Sequence, residues 1–161
     1  ASHLSLLLLG MQAGLSLNHV PYKGTAQIVP DLVGGRLDAY FDTPITAMPL
    51  LKSGKLKAIG VASREAQPAL PGVVPIAATL PGFEMTTWLG LFAPAGTPRE
   101  RVDRLNAVLR NILEESALRQ QLIDQGNEVR AGSAADFEAF IASEMNRIGE
   151  LIRAASIKLD N

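Results

Sequence analysis

The side chains that catalysis and metal binding use most often are scarce in this sequence. Its 161 residues contain no cysteine, and histidine occurs only at His3 and His19. The sequence has no HExxH or HxH spacing, no Gly-x-Ser-x-Gly elbow, no Walker loop and no Gly-x-Gly-x-x-Gly string. We therefore predict that the chain is not an enzyme, that it holds no metal ion and that it needs no cofactor.

Three polar dipeptides lie where helices are predicted to begin, namely Ser2-His3, Gly24-Thr25 and Asp42-Thr43. Backbone N–H groups at a helix start lack partners within the helix and carry a partial positive charge. Such a start binds a carboxylate or phosphate without a charged side chain. Helices that follow the strands of a parallel sheet begin at one edge of that sheet, so the three starts are predicted to converge. Ordinary capping explains any one of them alone.

Five side chains near these starts or on the predicted strands could be structural or could contact a ligand, and for three of them both interpretations stay open. Asp42 either caps the helix behind it or orients a ligand hydroxyl, amine or bound water. Tyr22 is either a half-buried aromatic residue at a strand end or part of a cleft wall with its hydroxyl toward a ligand. Lys23 is either a solvated turn residue or the partner of an anion. His19, in the middle of a predicted strand, and Trp88, at the head of an apolar one, are interpreted as structural.

Helix and strand signals alternate through the first 63 residues, which predicts a parallel sheet covered by helices. The predicted helices run from Ser2 to about Ala13, from about Thr25 to Val33 and from Pro44 to Ser53-Gly54. The predicted strands are Leu17–Tyr22, Leu37–Phe41 and Leu56–Ala62. Residues 64–84 contain four prolines and are predicted to be an irregular connector.

The last third of the sequence is predicted to be mainly helical. A strand over Trp88–Ala93 precedes a capping box at Thr97-Pro98-Arg99-Glu100, and a further helix begins at Ser133-Ala-Ala-Asp136. Between them a shorter helix starts near Ser116 and stops at Gly126. Amphipathic helices need a sheet to lie on, and this part offers one clear strand plus a weaker one at Glu128–Ala131. The strands that would carry these helices are therefore predicted to be missing.

Composition and charge narrow the class of partner. With 47% hydrophobic residues, the chain can bury one substantial core or two small lobes. A net charge of −1 without a clustered excess of Lys and Arg argues against a nucleic-acid or anionic-membrane partner. The apolar run Leu4 to Leu9 is too short to span a bilayer and lacks the basic leader of a signal peptide. We expect a buried helix there, so that the chain shows no targeting segment of its own.

Four stretches, taken in order and spacing, resemble the substrate-binding proteins of tripartite tricarboxylate transporters, also called the Bug family of extracytoplasmic solute receptors. The resemblance extends from Ser2 to Asp160 and covers only the second half of the family's length. The stretches are His19-Val-Pro-Tyr-Lys-Gly24; Asp31-Leu-Val-Gly-Gly-Arg-Leu-Asp38 with Phe41-Asp42-Thr43; Lys52-Ser-Gly-Lys-Leu-Lys-Ala58; and Leu80-Pro-Gly-Phe-Glu84 through Trp88-Leu-Gly-Leu-Phe-Ala-Pro-Ala-Gly-Thr-Pro98.

The resemblance implies an α/β fold of the type II periplasmic-binding class, a Venus flytrap, which would be incomplete here. Residues 1–84 would form most of ligand-binding lobe two with its Pro-rich connector, and residues 85–161 the C-terminal part of lobe one. The implied function is periplasmic capture of a small carboxylate, such as a di- or tricarboxylate, an amino acid or an aromatic acid, for the membrane components of the transporter. The implied ligand contacts are Ser2, His3, Tyr22, Gly24, Thr25, Asp42 and Thr43.

A chain that forms only half of the cleft is expected to differ from a whole receptor in ligand binding and in oligomeric state. We expect weak binding or none by the chain alone, and an open sheet edge that favours a homodimer or a strand-exchanged oligomer. The alternative function is the effector-sensing domain of a transcription regulator, since those domains share the same fold. A helix-turn-helix upstream would indicate a sensor, whereas a signal peptide would indicate a receptor.

Overall fold

Helices make up most of the regular structure in the computed structural model of the chain, which describes residues 2–154. The contacts divide the chain into two compact units, Ala1–Thr87 and Trp88–Asn161. The first unit contains α1 (Ser2–Ala13), α2 (Thr25–Val33), α3 (Pro44–Lys52) and a 3₁₀ turn at Ile76–Ala78; the second contains α4 (Arg99–Glu114), α5 (Ser116–Asp124) and α6 (Ala134–Ala154). No helix within residues 2–154 is long and apolar enough to cross a membrane.

The helices of the first unit confirm the predicted helices. Their ends were predictable because single residues, glycine at the C-terminus and proline at the N-terminus, determine where they end and begin. Helix α1 ends at Ala13, and Gly14 follows it with φ of 64°, a left-handed conformation that glycine adopts without strain. Helix α2 ends in the same way at Val33, with Gly35 at φ 72°. Helix α3 begins with Pro44, whose missing N–H costs nothing in a first turn.

The prediction of strands is wrong, because the structure forms none of the predicted strands. The segments Leu17–Tyr22, Leu37–Phe41, Leu56–Ala62, Trp88–Ala93 and Glu128–Ala131 contain no strand. Within the described residues the sheet-like pairing consists of one isolated parallel bridge between Val61 and Pro75. There Val61 N–H donates to Val74 O at 3.1 Å and Ile76 N–H donates to Val61 O at 3.0 Å. A strand exists only through a ladder of hydrogen bonds to a neighbouring segment, and apart from the single bridge at Val61 these apolar segments have no such ladder in the described structure.

The Pro-rich connector contains Phe83, which is the best-buried of the described residues, and buried residues also lie on either side of it. Phe83 is 1% exposed, and Met85 and Val61 are also buried. The Phe83 ring stacks on Phe41 with 6.3 Å between ring centroids, and Met85 N–H donates to Ala62 O at 2.9 Å. The connector is irregular as predicted, but it also supplies the core, because its turns fold these side chains back onto the preceding segment.

An aromatic cluster organises the second unit. Trp88 packs edge-on against Phe137 and Phe140, with centroid separations of 5.7 and 5.4 Å, and Phe92 lies 5.5 Å from Phe137. The backbone of Gly90 lies directly on the Phe137 ring, where a Cβ would come within 2.1 Å of a ring carbon. The cluster therefore holds segment 88–93 against α6 without any strand pairing.

The two predicted helix caps of the second unit have different outcomes. At α6, Asp136 N–H donates to Ser133 Oγ at 3.1 Å, and Ser133 N–H donates to Asp136 Oδ2 at 2.9 Å, which confirms the predicted start. At α4, the predicted cap by Thr97 is wrong. The Thr97 hydroxyl donates to Pro94 O at 2.8 Å, which closes the preceding turn, and α4 begins at Arg99 without a side-chain cap.

Substituting Gly90→Ala is expected to destabilise the second unit by about 1–3 kcal/mol, because the added methyl group overpacks the contact with Phe137. Gly149→Ala is the matched control. Its Cβ would meet only the end of Arg153 at 3.6 Å, and alanine favours a helix interior by about 0.5–1 kcal/mol. Urea unfolding followed by circular dichroism measures both, and equal stability of the Gly90 variant and the parent chain would contradict the packing described.

Candidate functional site

Helix α1 places Ser2 and His3 in its first turn. The His3 ring stacks on His19 with 3.9 Å between centroids and 7° between planes, which joins the start of α1 to the segment before Tyr22. Partial burial, followed by the nearby charge of His19, lowers the pKa of His3. His19, interpreted from sequence as a structural strand residue, lies outside any strand and stacks on a candidate ligand residue instead. Because the two histidines are distant in sequence, no local motif links them.

Helix α2 begins at Thr25 behind Gly24, and no side chain caps this start. Gly24 is extended, with φ 171° and ψ 162°. The Thr25 hydroxyl lies 3.4 Å from the Tyr40 hydroxyl, and Tyr40 comes two residues before Asp42. The start of α2 is therefore next to the segment that leads into α3. Its first amide groups have no side-chain acceptor, which is the condition under which a helix start binds an anion.

Tyr22 directs its hydroxyl toward the protein. The hydroxyl donates to Asp31 Oδ2 at 2.6 Å, and Arg36 Nε donates to Asp31 Oδ1 at 2.7 Å. The hydrogen bond from Tyr22, then that from Arg36, lowers the pKa of Asp31, and the same carboxylate raises the pKa of Tyr22. Of the two interpretations of Tyr22, the half-buried aromatic residue fits this geometry. Lys23, its neighbour, is exposed.

At the start of α3 the cap position belongs to Thr43, which corrects the interpretation of Asp42 as the N-cap. Asp42 still binds the first turn from one residue earlier. Its Oδ1 accepts from Thr43 N–H at 2.8 Å and from the Thr46 hydroxyl. The carboxylate thus places a negative charge at the positive end of α3. An anionic ligand would meet repulsion there, whereas a ligand hydroxyl, an amine or a water could donate to Asp42.

Two contacts relate the predicted site residues to one another. His3 to His19 joins the start of α1 to the segment before α2, and Thr25 to Tyr40 joins the start of α2 to the segment before α3. Within residues 2–154 there is no group of three or more His, Asp or Glu side chains that could hold a metal ion. The groups that these helix starts offer are backbone amides, hydroxyls, the His3 imidazole and the Asp42 carboxylate.

Residues 1–157 match the family described as tripartite tricarboxylate transporter family receptor. The chain belongs to this family. Because the family is one of solute receptors, the chain is related to binding proteins and not to enzymes. A UPF0065 protein from Pseudomonas knackmussii is 38% identical over 152 residues, which cover 93% of this chain and 90% of that relative.

Solved structures show the same relationship. The R. palustris protein Rpa4515 with adipate superposes with a TM-score of 0.87 at 32% identity, covering 97% of this chain and 52% of that protein. MatC from Rhodopseudomonas palustris with bound malate gives a TM-score of 0.79 at 34% identity, covering 94% of this chain and 53% of MatC. The periplasmic-binding fold predicted from the sequence is therefore supported, although the predicted strands are not formed.

The chain spans about half the length of most proteins it matches. It covers 45% of a curated relative from Pseudomonas sp. and 49% of the protein BugT from Bordetella pertussis. The Pseudomonas knackmussii relative is the exception, since this chain covers 90% of it.

The stacked histidines predict that the first unit becomes less stable as the pH falls. The pKa of His3 is lowered in the folded chain, so as the pH falls His3 takes up its proton at a higher pH in the unfolded chain than in the folded one. The stability contributed by neutral His3 is complete above the unfolded pKa of about 6.5 and is lost as the pH falls through it toward the folded pKa. Thermal unfolding between about pH 8 and about pH 5 measures this loss. His19→Gln removes the second-largest cause of the lowered His3 pKa, so the stability of this variant should depend less on pH. An identical pH dependence of stability in the variant and the parent chain would contradict the effect of His19 on His3.

Proposed function

We propose that the chain is the ligand-binding part of a periplasmic receptor that captures a small carboxylate for a tripartite tricarboxylate transporter. The observation that supports this most directly is the family match over residues 1–157. Solved relatives that contain adipate and malate support a dicarboxylate as the ligand class. The membrane components of the transporter would be its protein partners, and its location would be the periplasm.

The start of α2 is the proposed anion-binding element. Its amide groups beyond Gly24 have no side-chain cap, and a helix start carries roughly half a positive charge. The Thr25 hydroxyl adds a donor beside these amides. A carboxylate held there would be neutralised by dipoles, so the chain needs no arginine or lysine in contact with the ligand.

The remaining predicted residues have supporting roles in this proposal. Asp42 and Thr43 at α3 offer a carboxylate and a hydroxyl, which suit a ligand hydroxyl, an amine or a bridging water. Ser2 and His3 offer polar groups at the start of α1. Tyr22 contributes its ring more than its hydroxyl, because that hydroxyl already donates to Asp31.

The two units correspond, in this proposal, to parts of the two lobes of a Venus flytrap. Residues 1–84 would form most of lobe two, and residues 85–161 the returning part of lobe one. The 52–54% coverage of four solved relatives supports this assignment, because a chain of this length matches half of a two-lobed receptor.

Replacing one amide at the start of α2 tests the binding element. Thr25→Pro removes the Thr25 N–H at a position where proline is compatible with a helix, and Thr25→Val removes the hydroxyl but keeps the N–H. Because a hydrogen bond to a charged group contributes about 1.5–3 kcal/mol, adipate or malate should bind about ten- to a hundredfold more weakly to the proline variant than to the valine variant.

Backbone NMR titration of the amides at residues 24–27 detects even weak binding. The diamine of the same length as adipate is the matched ligand control, since its opposite charge should be repelled by the helix start. Equal affinity of the proline and valine variants, or equal shifts with the diamine, would contradict binding at this start.

We also propose that the chain self-associates through its open extended segments. Leu89 is 97% exposed and Ile59 is 78% exposed, and apolar side chains on extended backbone without ladder partners favour pairing between chains.

Light scattering after size exclusion is expected to give twice the mass of one chain, increasingly so at higher concentration. Leu89→Lys should shift the chain toward monomer, whereas Met145→Lys, which changes an exposed residue on helix α6, serves as the control. A monomer at every concentration would rule out this association.

A further inference from the structure

The Asp31 carboxylate connects the two ends of α2. It lies in the last turns of that helix, and it accepts a hydrogen bond from the Tyr22 hydroxyl at 2.6 Å and from Arg36 Nε at 2.7 Å. Tyr22 precedes the helix and Arg36 follows it. The backbone adds to this connection, since Arg36 N–H donates to Asp31 O at 2.8 Å. One residue therefore attaches the loop that enters α2 and the loop that leaves it.

The loop that enters α2 depends on this attachment because the helix start has little else to hold it. Gly24 occupies the cap position and no side chain caps the helix. A helix start without a cap frays, and glycine adds conformational freedom to the same position. Tyr22 is two residues away, so a fixed Tyr22 side chain restricts where Gly24 and the first amides of α2 can lie.

The charges of the cluster are balanced in a way that suits a nearby anion. A bare carboxylate on α2 would repel a carboxylate ligand at the start of the same helix. The guanidinium of Arg36, whose Nη2 is also 2.7 Å from Asp31 Oδ1, cancels that charge. Tyr22 then donates to a carboxylate that is already compensated.

We propose that Asp31 is a positioning residue, which fixes the amide groups at the start of α2 by holding the Tyr22 hydroxyl. It touches no ligand in this proposal and acts through Tyr22. Its effect on ligand affinity rests on the function proposed above, whereas its effect on the backbone at residues 24–27 does not.

The hydrogen bond is tested first without ligand. The chain has two tyrosines, so the ultraviolet titration of the parent chain minus that of Tyr22→Phe gives the ionisation of Tyr22 alone. The Tyr22 pKa should lie above the ordinary value of about 10, because the Asp31 carboxylate accepts its proton, and Asp31→Ala should return it toward that value. A midpoint that Asp31→Ala leaves unchanged would overturn the proposal.

The positioning effect is then measured on the backbone and on affinity. Asp31→Ala and Tyr22→Phe should each raise hydrogen exchange at residues 24–27 and weaken adipate or malate binding about three- to tenfold, which is about 0.7–1.4 kcal/mol. The double variant should be no weaker than either single one, since both remove the same hydrogen bond. Asp31→Asn keeps an acceptor oxygen and should recover part of the loss.

Asp103→Asn is the matched control, because it removes one charge from an exposed ion pair with Arg99 in the other unit. It should change neither exchange at residues 24–27 nor affinity. Losses that add in the double variant, or faster exchange without any loss of affinity, would overturn the positioning role. If the parent chain binds neither acid while exchange and titration behave as expected, ligand binding by this chain at the start of α2 is contradicted and the backbone role of Asp31 is supported.

Discussion

Extended backbone needs hydrogen-bond partners, and this requirement shapes the whole chain. A helix satisfies most of its N–H and C=O groups internally, so α1 to α6 need no hydrogen-bond ladder with another segment. Segments such as Leu56–Ala62 and Trp88–Ala93 have the apolar character of buried strands, but within the described residues neither forms a ladder with a neighbouring strand of its own unit. Several of their side chains remain exposed, among them Leu89 at 97% and Ile59 at 78%. Each unit therefore consists of helices and turns joined by segments that are suited to a sheet.

How much could be predicted from the sequence follows from the same distinction. The bounds of α1 and α2 were predictable because Gly14 and Gly34-Gly35 end helices through their own backbone freedom. The strands could not be predicted, because apolar alternation indicates what a segment suits and says nothing of whether a partner is present. The burial of Phe83 could not be predicted either, because it depends on packing against residues distant in sequence. The prolines around Phe83 indicated only that the connector is irregular.

The candidate site shows the same limit at the level of single side chains. The helix starts at Gly24-Thr25 and Asp42-Thr43 were predictable from residue type, and they prove to be chemically different. Helix α2 leaves its first amides without a side-chain partner, whereas Asp42 supplies α3 with a negative charge. The bond from Tyr22 to Asp31 and the stack of His3 on His19 lie outside any motif, because each joins residues through the fold. The two helix starts therefore differ in chemistry, since that of α2 has no side-chain acceptor and that of α3 has the Asp42 carboxylate.

The aromatic residues are distributed unequally between the two units. Trp88, the chain's one indole, belongs to the second unit with its partners Phe137 and Phe140. Both phenols, Tyr22 and Tyr40, belong to the first. Tryptophan emission therefore reports on the environment of Trp88 in the second unit, whereas tyrosine absorbance reports on the first unit. The two halves can be followed as separate optical signals in a single unlabelled sample, so melting of one half before the other would be visible as two curves that do not coincide.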